Sequence, residues 1–326
     1  MFSFVSAGAR RTGIFTASLA AILTTTTHAQ VVAGITQPTF GLNAPAVFTT
    51  DVQTGSSSFL FNATSALFPA SAPGFGGLAA DEAGRRLFAS VRNGAQDDIW
   101  SIAYGTYAAT KLATVRRPGL TTGMSVEGLA YDTTSGTLYG TRSLGGSTGP
   151  EALVRIDTAT GDTTVIIEYE PTSTSLYQIN AIDYDPITRL LYLVDEDDTG
   201  GRNIYSVDPK ASVPALTLVT AMPAILTDVD GLAAGNGKLY LVSDGPDITS
   251  TTPVEGNGGN HYVYDIAANT FNTFAATPFP AYSFSTQLNG RINPSAGAAF
   301  APGLTVIPEP TLLPALALAG LLLRRR

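Results

Sequence analysis

Several residue types are scarce in this chain. It contains no cysteine, two histidines and one tryptophan among its 326 residues. Without cysteine there can be no disulfide, lipoprotein anchor, thiol nucleophile or cysteine-metal site, so the core alone must hold the fold together. His28 lies in the N-terminal stretch described below, which leaves His261 as the candidate for histidine chemistry. A zinc or iron site built from several histidines is therefore excluded.

Charged residues are also few, at 13% of the chain, and they are unbalanced: 26 acidic residues stand against 18 basic ones. A negative surface repels nucleic acids and anionic polymers, so no nucleic-acid partner is expected. Abundant threonine, serine, alanine and glycine are typical of short strands and turns rather than of surface helices. Composition thus favours an all-β domain.

The first 29 residues have the pattern of a secretory signal peptide. Arg10-Arg11 precedes an uncharged apolar stretch, and Thr27-His28-Ala29 supplies small residues at the positions that signal peptidase reads. Cleavage is expected after Ala29. A twin-arginine signal is the alternative, but it wants a bulky apolar residue where Gly13 stands, so the Sec route is favoured.

The last twenty residues form a second signal. Pro308-Glu309-Pro310 is followed by an apolar run at 311–323 and then by Arg324-Arg325-Arg326. As a helix the run would be about 20 Å long, whereas a bilayer core needs roughly 20 residues, so it is a marginal span. The arginines would remain on the cytoplasmic side, and transient membrane insertion is expected. An ordinary C-terminal anchor or a buried last helix is the alternative.

This tail resembles the PEP-CTERM sorting signal of bacterial surface proteins, with Val306-Ile307-Pro308-Glu309-Pro310 in place of the motif. The resemblance implies processing near the motif by an exosortase, a membrane transpeptidase-like enzyme whose hosts commonly make extracellular polysaccharide. It also implies a location at the cell surface or in the extracellular matrix, with membrane association before the tail is processed. Exopolysaccharide or another surface protein would be the partner.

A repeat of about fifty residues fills the middle of the chain. Gly77-Leu78-Ala79-Ala80-Asp81 recurs as Gly128-Leu129-Ala130-Tyr131-Asp132, as Ala181-Ile182-Asp183-Tyr184-Asp185 and as Gly231-Leu232-Ala233-Ala234-Gly235. Each copy is followed by Leu-Phe or Leu-Tyr, with turn-forming residues between, which predicts an opening hairpin. Leu153-Val154-Arg155-Ile156-Asp157 and the residues up to Gly161 predict a closing hairpin. Its relatives recur at Ile204 and at Tyr262, where Asn269 replaces the glycine.

Four short strands per fifty residues, repeated around a ring, predict a β-propeller. Residues 46–55 match a closing hairpin with no opening one before it, and Gly297-Ala298-Ala299-Phe300-Ala301 resembles a lone opening strand. We therefore expect the two ends of domain 30–306 to share one blade, giving five blades, or six if residues 273–294 hold a degenerate one. Helical hydrophobic segments are expected at both termini, in the signal peptide 1–29 and the sorting tail 307–326. An open β-sandwich is the alternative.

The repeats resemble those of bacterial propellers with a "GLAYD…LY…ID…TG" pattern, found in many exported proteins of unassigned function. These motifs describe strands and turns, so the resemblance implies a fold and not an activity. Tyr139, Tyr192 and Tyr240 stand at one repeated position and are expected in the blade core rather than in sugar contacts.

Carboxylates are the remaining candidates for site chemistry. Asp195-Glu196-Asp197-Asp198 follows a predicted inner strand, and oxygen ligands suit calcium, so Asp195, Asp197 and Asp198 are candidate ligands. A solvated acidic turn is the alternative. Asp81, Asp132 and Asp185 recur at one place in the repeat, which indicates turn formation.

Two functions remain open at this stage. The first is a non-catalytic, exported propeller that binds or scaffolds through its loops and needs no cofactor. The second is a calcium-assisted, lactonase-like hydrolase in the central channel, with Asp183, Asp185 and Asp230 as candidates; propeller lactonases use such acids around calcium. No catalytic residue is assigned.

Overall fold

The computed structural model describes residues 31–36, 46–52, 57–62, 75–94, 96–117, 123–142, 151–170, 179–195, 202–224, 226, 229–243, 260–273 and 294–304. The regular structure within these ranges is entirely β. The predicted signal peptide, the sorting tail and their hydrophobic helices lie outside them. The strands are β1 Val31–Thr36, β2 Ala46–Asp51, β3 Ser57–Asn62, β4 Phe75–Asp81, β5 Arg86–Asn93, β6 Gln96–Ala103, β7 Ala109–Thr114, β8 Val126–Asp132, β9 Thr137–Arg142, β10 Glu151–Ile156, β11 Thr163–Glu170, β12 Ile179–Asp185, β13 Leu190–Asp195, β14 Asn203–Val207, β15 Thr217–Ala221, β16 Val229–Gly235, β17 Lys238–Ser243, β18 Asn260–Asp265, β19 Thr270–Thr273 and β20 Pro294–Phe300.

The strands form five antiparallel sheets of four strands each. From the inside outward, blade 1 is β4-β5-β6-β7, blade 2 is β8-β9-β10-β11, blade 3 is β12-β13-β14-β15 and blade 4 is β16-β17-β18-β19. Blade 5 is β20-β1-β2-β3 and draws its strands from both ends of the domain. The four repeat motifs found in the sequence are the innermost strands β4, β8, β12 and β16.

The sheets stand side by side around an axis and close a ring. The innermost strands contact one another in the order β4, β8, β12, β16, β20 and back to β4. Because β16 contacts β20 directly, the ring closes with five blades, and the prediction of a five-bladed propeller is confirmed. The open sandwich is wrong, since each inner strand has a neighbouring blade on both sides.

Strand β1 fastens the two ends of the domain together. Its Gly34 lies opposite Ala298 of β20 on one side and opposite Phe48 of β2 on the other. The sequence predicted the shared blade but assigned no strand to residues 31–36. The opening hairpin of blade 5 is therefore itself split, with its inner strand at the C-terminal end and its second strand at the N-terminal end. Such closure gives each inner strand a neighbouring blade on both sides, so the sheet edges at the centre of the ring are short and protected.

Glycine is needed in the repeat because the inner strands meet backbone to backbone. A Cβ atom on Gly77 would lie 2.6 Å from the amide nitrogen of Leu129 in blade 2, and one on Gly128 would lie 2.8 Å from the carbonyl oxygen of Asn180 in blade 3. Across the closure, a Cβ atom on Gly297 would lie 2.7 Å from the amide nitrogen of Leu78. The centre of the ring is thus packed by main chain and small side chains.

Each inner strand also carries a register irregularity just before or at the motif. The pairing shifts between Phe75 and Leu78 in β4 and between Val126 and Leu129 in β8, and β12 and β16 shift in the same region. A bulge leaves backbone groups without a ladder partner. In blades 1 and 2 hydroxyl groups replace that partner, because the amides of Gly77 and Gly128 donate to Ser90 Oγ and Thr141 Oγ1 at 2.7 Å each.

The hydrophobic core lies between blades rather than in one central mass. One cluster joins Phe88 and Ile99 of blade 1 to Leu129 and Val154 of blade 2. Another joins Leu304, beyond the end of β20, to blade 1. Each blade therefore buries its faces against its neighbours, which explains why a single blade would not be stable alone and why the ring must close.

Candidate functional site

The connections between strands define two edges of the ring. The turn edge carries the links between the first and second strands and between the third and fourth strands of a blade; the loop edge carries the other links. Turn-edge links are mostly short, as at 82–85, 133–136, 186–189 and 236–237. Several loop-edge links are long, as at 143–150, 244–259 and 274–293, and they lie largely outside the described residues.

The repeated aspartates lie on the turn edge and organise its turns. Asp132 accepts hydrogen bonds from the amide of Thr134 at 2.8 Å and from the hydroxyl of Ser135 at 2.6 Å. Asp81 accepts from the amide of Gly84 at 2.8 Å, and Asp185 accepts from the amide of Thr188 at 3.1 Å. The prediction that these carboxylates form turns is confirmed.

Asp132 has one further partner in the next blade. Lys210 Nζ, from the third-to-fourth-strand link of blade 3, lies 2.7 Å from Asp132 Oδ2, and the aspartate side chain is fully buried. Burial opposes ionisation of Asp132, but the hydrogen bonds from Lys210 and Ser135 outweigh it and lower its pKa to about 2. The carboxylate stays ionised and ties two blades together.

The turns of the closing hairpins also contain aspartates that accept hydrogen bonds from backbone amides. Asp157 accepts from the amide of Ala159 at 2.8 Å, and Asp265 accepts from the amide of Ala268 at 2.9 Å. Gly161 ends its turn at a φ of 81°, and Asn269 takes the equivalent place at a φ of 54°. The predicted substitution of asparagine for a left-handed glycine is confirmed.

The loop edge of blades 1 and 2 carries charged residues that do not recur in the other copies of the repeat. Asp97, at the start of β6, is almost fully buried and accepts from the amide of Val126 at 2.7 Å and from the hydroxyl of Ser125 at 3.3 Å. Burial raises the pKa of Asp97 to about 6, against the opposing hydrogen bond from Val126 and the charge of Arg92. Arg92 also lies 3.4 Å from Glu127. Arg92 and Glu127 thus form a mixed-charge surface patch on the loop edge, with Asp97 buried beneath it.

A second charged group lies on blade 2 at the same edge. Arg142, at the end of β9, is 7% exposed and its Nη2 lies 3.6 Å from Oε1 of the more exposed Glu168. Burial raises the pKa of the neighbouring Tyr169 well above its usual range, and the carboxylates of Glu151 and Glu127 add to the shift. The guanidinium of Arg142 is therefore a positive group among the carboxylates of Glu127, Glu151 and Glu168.

A buried carboxyl group joins the inner strands of three blades. Asp183, on β12, is 5% exposed; it accepts hydrogen bonds from its neighbour Tyr184 at 2.8 Å and from Ala234 of β16 at 2.7 Å. The amide of Phe300 on β20 donates to it as well. Burial raises the pKa of Asp183 to about 8, although these three donors oppose the shift. Asp183 thus bridges the inner strands of blades 3, 4 and 5, and its oxygens face backbone donors.

The predicted calcium ligands are described only in part. Asp195 is the last residue of β13, fully buried opposite Ile179 and Asn203. Asp197 and Asp198 lie outside the described residues. Within the described part of the chain, no three His, Cys, Asp or Glu residues are grouped so as to hold a metal ion. Calcium at Asp195, Asp197 and Asp198 stays a prediction.

The structure describes the remaining candidate residues to different extents. Tyr139, Tyr192 and Tyr240 are each at most 3% exposed, so their predicted place in the blade core is confirmed. Asp185 serves a turn, and only the register position of Asp230 is described, within β16. His261 lies opposite Val242 on β18. Ala29, the Pro308-Glu309-Pro310 motif and Arg324 to Arg326 lie outside the described residues.

Sequence reasoning named Asp230 as a channel candidate but missed that polar residues share its position, directly before the repeated glycine, in other blades. Glu127 in β8 and Asn180 in β12 stand there, both half-buried, and Asp230 has the same register position in β16. The polar series is confined to three successive blades, because Gly76 and Ala296 occupy the position in the other two. The signal was available in the sequence: it is the column of the repeat in which the residue type changes most.

Comparison with known proteins identifies no family. No family model matches the chain, and no curated protein matches it. Among solved structures it is similar to a chain of the nidogen/laminin complex, with 16% identity over 83% of this chain and 97% of that one and a TM-score of 0.48. It is also similar to TolB from Acinetobacter baumannii, with 12% identity over 76% of this chain and 53% of that one and a TM-score of 0.46. Within the described ranges no helix is long and apolar enough to cross a membrane.

Proposed function

We propose that this protein is an exported, surface- or matrix-associated propeller that binds or scaffolds through its loop edge and is not an enzyme. A C-terminal sorting signal would direct it, and an exosortase-type enzyme would process that signal. The observation that carries the proposal is the completeness of the ring: all five blades are built from residues between Val31 and Phe300. The expected leader 1–29 and tail 307–326 lie outside these limits, which suits segments that serve transport.

The loop edge supports a binding role. Long links leave the strands there, and loops on a rigid scaffold are where proteins place binding residues. Arg92, Glu127 and Asn180 offer donors and acceptors of both kinds, with at least part of each side chain exposed. Such groups suit the hydroxyls of a neutral glycan, whereas the excess of acid in the chain disfavours a polyanion. Exopolysaccharide of the host, or another surface protein, is the proposed partner.

Two features disfavour chemistry in the channel. The inner strands meet so closely that a methyl group on Gly77 or Gly128 would strike the backbone of the next blade. Asp183, on the inner strand β12, accepts hydrogen bonds from backbone amides of three inner strands. A hydrolase needs a carboxylate that reaches its substrate, whereas the oxygens of Asp183 are occupied by these backbone amides.

The transport half of the proposal is tested on protein recovered from its host. Mass spectrometry is expected to find an N-terminus at Gln30 and a C-terminus near Pro308. Replacement of Pro308 and Glu309 by alanine is expected to retain the tail and hold the protein in the membrane fraction. An intact leader or tail on the surface-located protein would contradict the proposal.

The binding half needs a separate assay. Immobilised host exopolysaccharide is expected to retain the wild-type protein, and the double variant Arg92→Ala/Glu127→Ala is expected to bind at least tenfold more weakly with an unchanged melting temperature. Arg155→Ala, an exposed residue of β10 away from both patches, is the matched control. Equal retention of all three proteins would refute binding at the loop edge.

A further inference from the structure

The chain leaves the ring at a fixed point on the turn edge. After β20 ends, the amide of Leu304 donates to the carbonyl oxygen of Ala301 at 3.0 Å, and the Leu304 side chain is buried in the core of blade 1. The amide of Gly303 donates to Glu82 Oε2 at 2.8 Å, and Tyr104 donates to the other oxygen of Glu82 at 2.7 Å. Glu82 lies in the first turn of blade 1, so the base of the tail is held at that edge.

The link from this point to the apolar run is short. Residues 305–310 separate Leu304 from Thr311. At about 3.5 Å per residue they span at most about 25 Å even when fully extended. While residues 311–323 are inserted in a bilayer, the turn edge therefore cannot move far from the lipid surface, and the loop edge lies on the far side of the ring.

The turn edge also has the surface chemistry that suits lipid. Ile187, in the first turn of blade 3, is 66% exposed and Val213 is 81% exposed. Val213 follows Lys210 in a link that reaches Asp132 of blade 2, which places it on the same edge. Two exposed aliphatic side chains do not by themselves mark a contact surface, but these two lie on the edge from which the tail leaves.

Exposed arginines accompany these aliphatic residues. Arg85 and Arg189 stand in the first turns of blades 1 and 3, with positive φ angles of 49° and 62° that hold them at the tips. Each basic residue near an anionic bilayer strengthens binding about fivefold. Exposed Asp157, Asp162 and Asp208 on this edge reduce that attraction. The face would thus set the orientation of the protein, while the tail supplies most of the affinity.

We propose that the turn edge is the face that the propeller lays against an anionic lipid bilayer while its tail is inserted, with Ile187 and Val213 in contact with the lipid interface and the loop edge turned outward. This inference rests on the proposed function, because it needs the tail in the membrane. It adds the orientation of the folded body and the residues that fix it.

The absence of cysteine permits a direct test with single-cysteine variants of the exported chain from Gln30 onward. A fluorophore is attached at Ala83→Cys on the turn edge or at Arg92→Cys on the loop edge, and the protein is added to vesicles of phosphatidylethanolamine and phosphatidylglycerol, roughly 3:1. Lipids with a nitroxide headgroup then quench nearby labels. We expect the label at position 83 to be quenched at least twofold more than the label at position 92.

The outcomes separate the two proposals. Vesicle binding with equal quenching at both positions, or stronger quenching at position 92, would overturn the orientation and leave tail insertion standing. A wild-type chain that does not bind vesicles would overturn tail insertion as well. A protein that forms dimers in solution through Ile187 and Val213, dissociated by Ile187→Ser/Val213→Ser, would assign the face to a second copy and overturn the inference.

Two variants then identify the contact residues. Ile187→Ser/Val213→Ser is expected to abolish the difference between the two labels, with a melting temperature close to that of the wild type because both side chains are exposed. Arg189→Gln is expected to reduce the difference. Its control is Arg92→Gln, the same charge change on the opposite edge, with the loop-edge label moved to the exposed Asn93→Cys; the difference is then expected to stay intact. An undiminished difference in Ile187→Ser/Val213→Ser would contradict the assigned contact.

Discussion

Strand β8 has a carboxylate near each end, and the two differ in every respect that matters for function. Asp132, at the turn edge, is fully buried, recurs in other blades and accepts hydrogen bonds from Thr134, Ser135 and Lys210. Glu127, at the loop edge, is 23% exposed in its side chain, and its contact with Arg92 is 3.4 Å long. One strand therefore separates a group that builds the fold from a group that can meet a ligand.

The difference teaches where to look in a repeat protein. A residue type that recurs in each copy serves what the copies share, which is the turn, the packing and the ring. A position whose residue type changes from copy to copy is not required for the turn, the packing or the ring, and it can serve binding instead. In this propeller the repeated acids lie on the turn edge, and the changing column of Glu127 and Asn180 lies on the loop edge.

The largest expected effect concerns the repeated glycine of the inner strands, taken in β4, the neighbour of β8. Gly77→Ala places a methyl group 2.6 Å from the amide nitrogen of Leu129 in the next blade, and the backbone there cannot yield without opening the ring. We expect a loss of about 4 kcal/mol in the free energy of unfolding, at the upper end of overpacking effects. Urea denaturation measures it.

Gly94 of the loop edge is the matched control. It has a φ of 69° and nothing within 4 Å of its missing Cβ atom. Gly94→Ala is expected to cost about 1 kcal/mol, the strain of a left-handed alanine. Equal losses in the two variants would mean that the inner strands do not pack as closely as described, and the account of the ring centre would be wrong.

A smaller effect follows from the carboxyl group that bridges three blades. The pKa of Asp183 is about 8 in the fold and about 3.9 in an unfolded chain. Between these values the folded state binds more protons, so the free energy of unfolding falls as the pH rises. From pH 6.5 to 8 we expect a loss of about 1.5 kcal/mol, and Asp183→Asn should remove that dependence.

The window is chosen to exclude other groups. Asp97, with a pKa of about 6, contributes in the same direction but mostly below pH 6.5, and Asp132, with a pKa of about 2, acts only in acid and with the opposite sign. Denaturation curves at several pH values measure the slope. A slope that persists in Asp183→Asn would assign the titration to another residue.

Calcium gives the smallest of these effects. An ion held by Asp195, Asp197 and Asp198 at ten times its Kd would add about 1.4 kcal/mol to the free energy of unfolding. Calorimetry with calcium, and with magnesium as the control cation, measures the shift in melting temperature. The calcium hypothesis expects a rise that Asp197→Asn/Asp198→Asn abolishes. An unchanged melting temperature would leave the solvated acidic turn as the interpretation.

Much of the fold was predictable because the same strand and turn residues recur in several copies of the repeat. The inner strands, the turn aspartates, the left-handed Asn269 and the shared blade all follow from aligned copies. Strand β1 was missed because residues 31–36 are separated in sequence from the inner strand with which they form a hairpin in the other blades. The pairing of Gly34 with strands on both sides exists only in the closed ring.

The site was harder to predict, for a related reason. Asp183 was considered as a channel candidate, yet it stands where other blades have Ala79, Ala130 and Ala233. That departure marks a buried group, but only the arrangement of β12, β16 and β20 shows which amides it meets. Contacts between blades depend on ring geometry, which no single repeat contains.

The most direct measurement compares the two ends of β8 in one pair of variants. Asp132→Ala is expected to lower the free energy of unfolding by about 2–3 kcal/mol, because it deprives several turn donors and Lys210 of a buried acceptor. Glu127→Ala is expected to change it by less than about 0.5 kcal/mol, as for other exposed ion pairs. Similar losses in both variants, or a larger loss for Glu127→Ala, would contradict the division of the ring into a structural edge and a binding edge.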